Sequence, residues 1–105
     1  MKRIFSIIAL SLAFTAALMK AYRDSCTRLT GDTAVSEAIT LRVFENVIET
    51  VRNGDTTFEQ LIEQICTKGG TTEAGMSVLE NSGLNEIIGK CLDTAYARVS
   101  GLKGE

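Results

Sequence analysis

Thr67-Lys68-Gly69-Gly70-Thr71-Thr72-Glu73-Ala74-Gly75 lies past the middle of the chain and opens into Met76-Ser77-Val78-Leu79-Glu80. A glycine pair lets the backbone come close to a ligand and adopt angles that other residues resist. Thr71 or Thr72 caps the helix predicted to follow, whose first-turn amides point outward without intrahelical partners. Those amides and the positive end of the helix dipole favour a carboxylate or a phosphate. The spacing alone fits two readings. One is an ordinary Gly-rich loop before a capped helix, the commoner arrangement; the other is a turn built to receive an anion.

Outward from this tract the pattern is helical throughout. Apolar residues recur at three- and four-residue intervals, and the alternating runs that mark strands are missing. With no proline and 45% hydrophobic residues among 105, the chain reads as all-α, with enough apolar content for a core. A single domain of this length should bury about two thirds of its unfolded surface.

Five helices are predicted. The first covers about 3–29 and breaks at Thr30-Gly31-Asp32; Asp32 or Thr33 caps the second, which carries Val35, Ala38, Ile39, Leu41, Phe44, Ile48 and Val51 on one broad face. Asn53-Gly54-Asp55 ends that helix through a left-handed residue. Thr56 and Glu59 have capping-box spacing and start a short third helix with Phe58, Leu61, Ile62 and Ile65 inward. The fourth starts at Thr71 or Thr72 and stops at Asn81-Ser82-Gly83. The fifth covers about 84–99, with Ile87, Ile88, Cys91, Leu92 and Ala95 on its apolar stripe.

Composition removes several kinds of chemistry. The chain has no histidine, so neither a Ser/His/Asp constellation nor a His-containing zinc site is available. Cys26, Cys66 and Cys91 are odd in number and lack paired metal-ligand spacing; three buried or half-buried thiols in a reduced compartment are expected, and no metal site. A formal charge of −2 gives no general attraction to nucleic acid. Charged residues are expected at the surface: Glu59 and Glu63 on a solvated face, Arg42 and Glu45 at pairing distance, Arg23, Asp24 and Arg28 near the end of the first helix.

The tract Ile65-Cys66-Thr67-Lys68-Gly69-Gly70-Thr71-Thr72-Glu73-Ala74-Gly75-Met76-Ser77-Val78-Leu79-Glu80 resembles the C-terminal helical domain of pyrroline-5-carboxylate reductases. That family carries a Ser-Pro-Gly-Gly-Thr-Thr stretch, then a small residue, a glycine and a Val-Leu-Glu or Ala-Leu-Glu run. Asn81-Ser82-Gly83-Leu84 and a last helix with Ala95, Tyr96, Ala97 and Arg98 continue the likeness, which is specific from about 56 to 102. The resemblance implies a five-helix dimerisation domain over 1–105, an interwoven homodimer with a long N-terminal interface helix. The implied parent reaction is reduction of 1-pyrroline-5-carboxylate to L-proline by NADPH or NADH, in the cytoplasm. The substrate's carboxylate would be held at Gly69, Gly70, Thr71 and Thr72, with Thr67 at the position of the family's serine.

The chain also departs from the family. Lys68 stands where many members have proline, and Leu10-Ser11-Leu12-Ala13-Phe14 lacks the Gly-Pro entry usual before the first long helix. No Gly-x-Gly-x-x-Gly follows a strand, so no dinucleotide-binding domain, no cofactor site and no catalytic residue are expected in this chain, which should be inactive alone. Met1-Lys2-Arg3 and the apolar run to Met19 have the form of a secretory signal. The apolar pattern, however, continues past Lys20 through Ala21, Tyr22, Cys26 and Leu29, as in one long interface helix, with no membrane partner. Two alternatives stand beside this reading: a non-catalytic helical dimerisation module, and a small secreted helical protein with a cleaved leader.

Overall fold

In the computed structural model, residues 2–54, 56–66 and 70–103 are described. They form five helices and, among the described residues, no strand: α1 (Lys2–Thr30), α2 (Thr33–Arg52), α3 (Phe58–Cys66), α4 (Gly70–Asn81) and α5 (Leu84–Lys103). The all-α expectation holds, with small shifts at the ends. α1 is one residue longer at each end, α4 begins at Gly70 rather than a threonine, and α5 continues to Lys103. At 29 residues, α1 is about 44 Å long for a rise of ~1.5 Å per residue.

Local chemistry sets these ends. The Asp32 carboxylate accepts from the Val35 amide at 3.0 Å, capping α2. α3 starts one residue later than expected. Its capping box is Thr57 with Gln60: the Thr57 amide donates to Gln60 Oε1, and the Gln60 amide to Thr57 Oγ1, both at 3.0 Å. Thr56 and Glu59 share the spacing, but only Thr57 directly precedes the first helical residue. At the C-terminal ends the chain reverses through Gly31, Gly54 and Gly83, with φ of +74°, +94° and +77°. A side chain in that left-handed region is strained, which is why glycine follows α1, α2 and α4.

The helices fall into two compact units, Met1–Ala21 with Gly83–Glu105, and Tyr22–Ser82. In the first, α1 and α5 line a cleft of about 290 Å³ with Phe14 and Leu18 on one wall and Ile87, Ile88, Cys91 and Leu92 on the other. In the second, α3 packs on α4. The end of α1 is braced to α2 by three contacts. Arg23 Nη1 donates to Glu37 Oε1 at 3.1 Å. The Tyr22 and Phe44 rings meet edge to face, their centroids 6.0 Å apart. The Thr30 and Ser36 hydroxyls lie 2.7 Å apart. Arg23 also binds Asp24 Oδ1 through Nε and Nη2. Arg42 and Glu45, by contrast, do not pair.

The expected core is not closed within the chain. Among the described residues no apolar side chain is buried; the buried positions are Ser36 and Thr40. Both are satisfied, since Thr40 Oγ1 donates to the Ser36 carbonyl at 2.8 Å and Ser36 Oγ meets Thr30. Val35, Ile39, Leu41, Ile48, Phe58, Ile62, Ile65 and Ile87, all predicted to face inward, are exposed. Phe44, Val51, Leu61, Ile88, Cys91, Leu92 and Ala95 are half-buried, as are the three free thiols.

Replacing Asp32 by alanine removes the α2 cap and should lower unfolding free energy by about 1 kcal/mol, read by denaturant titration. A second expectation concerns Tyr22, whose phenol is pushed above its ordinary value of 10.0 by burial and, secondarily, by the neighbouring Cys26 thiol. Because the folded state favours the neutral phenol, its contribution is complete below pH 10 and is lost as pH rises through the folded-state value. In a Tyr96→Phe background, absorbance at about 295 nm should show Tyr22 ionising later than a free tyrosine. Adding Cys26→Ala should bring the midpoint only part of the way back, because burial is the larger cause.

Candidate functional site: the first turn of α4

Of the five residues that the sequence marks as an anion site, Gly70, Thr71 and Thr72 come together in the first turn of α4. Thr67 and Gly69, with Lys68 between them, lie outside the described residues. Gly70 and Thr71 are exposed and Thr72 is half-buried. As the first residues of a twelve-residue helix, they present amides without i−4 partners at the positive end of the helix dipole. A Cβ built on Gly70 meets nothing within 4 Å. The open backbone there is therefore not forced by a neighbouring side chain.

Beside this turn, α3 and α4 enclose a cleft of about 530 Å³ whose walls include Ile62, Cys66, Gly70, Glu73, Ser77 and Glu80. Gly70, Glu73, Ser77 and Glu80 recur every three or four residues and share one face of α4. Ile62 and Cys66, four apart, face them from α3. The sequence reading placed Cys66 near the glycines but took Glu73 and Glu80 for no part of a site. Their spacing is visible in the sequence, although the opposing helix that makes the face into a wall is not. Electrostatically the cleft is mixed: amides favour an anion at its Gly70 end, and two carboxylates disfavour one along its length.

The described residues contain no group of three His, Cys, Asp or Glu side chains placed to hold a metal ion. The strand-to-helix turn through Gly-x-Gly-x-x-Gly that holds a dinucleotide in doubly wound folds is not among the described residues, which are helices and their connections. The positive end of the α4 dipole at this turn favours an anion.

A strand-free set of helices, with apolar faces left open and one glycine-threonine turn, defines an all-α assembly domain that another chain completes. The family model for pyrroline-5-carboxylate reductase dimerisation matches residues 1–102, and the chain belongs to that family. No curated protein and no solved structure gives a significant match. The match covers α1 as well as the start of α4.

Since Gly70 has open space around it and no left-handed φ, Gly70→Ala should leave the fold intact. Its melting temperature should equal or slightly exceed that of the parent chain, as alanine favours helix by up to ~1 kcal/mol over glycine. Gly83→Ala, at φ +77°, should instead lower it.

Proposed function

We infer that the chain is the dimerisation and substrate-site part of a reductase that converts 1-pyrroline-5-carboxylate to L-proline in the cytoplasm. The observation carrying this reading is the family match over residues 1–102, with Gly70, Thr71 and Thr72 opening a helix inside it. In this reading residues 1–105 act as one domain, assembled as a homodimer, with neither a nucleic acid nor a membrane as partner. NADPH or NADH, bound by a nucleotide domain, supplies the hydride in the parent enzyme. No side chain of this chain is assigned a bond-making step, and the chain alone is inactive.

Its share of the work is positioning. The substrate is a small ring carrying a carboxylate beside the reacting C=N bond. Holding that carboxylate on the amides of Gly70, Thr71 and Thr72, together with Gly69 and the Thr67 hydroxyl, fixes which ring atom faces the hydride. Burial of the neighbouring helices by a partner keeps water from the same path. A helix end contributes up to ~2 kcal/mol to a partly buried anion, enough to orient a ligand without binding it tightly.

A second reading rests on α1. Its Ile4–Thr30 segment, whose most apolar 18-residue window has a mean hydropathy of 2.0, is long and apolar enough to cross a membrane, and a secretory leader near an N-terminus meets the same criterion. The mass of the N-terminus in the native host separates the two: an intact α1 supports the dimerisation domain, and loss of about the first 20 residues supports a leader.

The functional reading is tested by titrating the protein with L-proline and with prolinamide, which lacks the carboxylate, while following backbone amides by NMR. Shifts at Gly70, Thr71 and Thr72 with proline, about tenfold weaker with prolinamide, are expected. Equal responses to both ligands, or none at millimolar proline, would remove the turn from the substrate site.

A further inference from the structure

We draw no further inference here: the strongest candidate, the cleft between α3 and α4 along which Glu73, Ser77 and Glu80 follow Gly70, belongs to the site already described and adds to that helix N-terminus only two exposed carboxylates, with no unpartnered buried polar side chain among the described residues to meet a ligand there.

Discussion

Apolar side chains along α1, α2 and α3 find too few neighbours in their own chain to leave water, and burial of such surface is the main favourable term in folding. Other features follow from that constraint. A helix exposing apolar residues over about 160° cannot be finished by one flanking helix, so α1 needs company beyond α5. A wide arc on a long helix is what an interlaced pair of chains requires, and it is why the same stretch has the composition of a leader or a membrane span. Composition reports that water is to be avoided and says nothing of what replaces it.

What the chain supplies by itself is direction. Asp32, the Thr57–Gln60 box and the left-handed Gly31, Gly54 and Gly83 fix where helices start and stop. Arg23, Thr30 and Tyr22 tie the end of α1 to α2. The two buried residues, Ser36 and Thr40, are small and return their hydroxyls to nearby oxygens. Each is a short-range device. Together they aim the helices, and the stability has to come from elsewhere.

This division explains which parts were legible. Helix ends depend on a few adjacent residues, so Gly31, Asp32, Gly54 and Gly83 could be placed without coordinates. The slip at α3 came from two consecutive threonines followed three residues later by Glu59 and Gln60, a sequence that satisfies the cap rule twice. The start of α4 was legible to within a residue or two because its chemistry is local, and the wording of residues 65–80 was legible as that of a known family. The core was not. Periodicity in α2 and α3 marks an apolar face correctly but does not say whose surface meets it, and Val35, Ile39 and Phe58 were assigned to an interior that this chain does not close. Glu73 and Glu80 were missed as cleft residues for a related reason: a face of α4 becomes a wall only when α3 stands opposite.

That the first turn of α4 and the apolar arc of α1 belong to different compact units also has a genetic side. A copy damaged at Ile8 or Leu12 loses the means of joining a partner and drops out of the population, leaving intact copies to pair among themselves. Such lesions are recessive. On the proposed reading of the turn, a copy altered only at Gly70 would keep its pairing surface, enter assemblies with normal copies and carry a faulty carboxylate turn into each of them. In a cell expressing both forms, the milder structural change is the one that behaves dominantly.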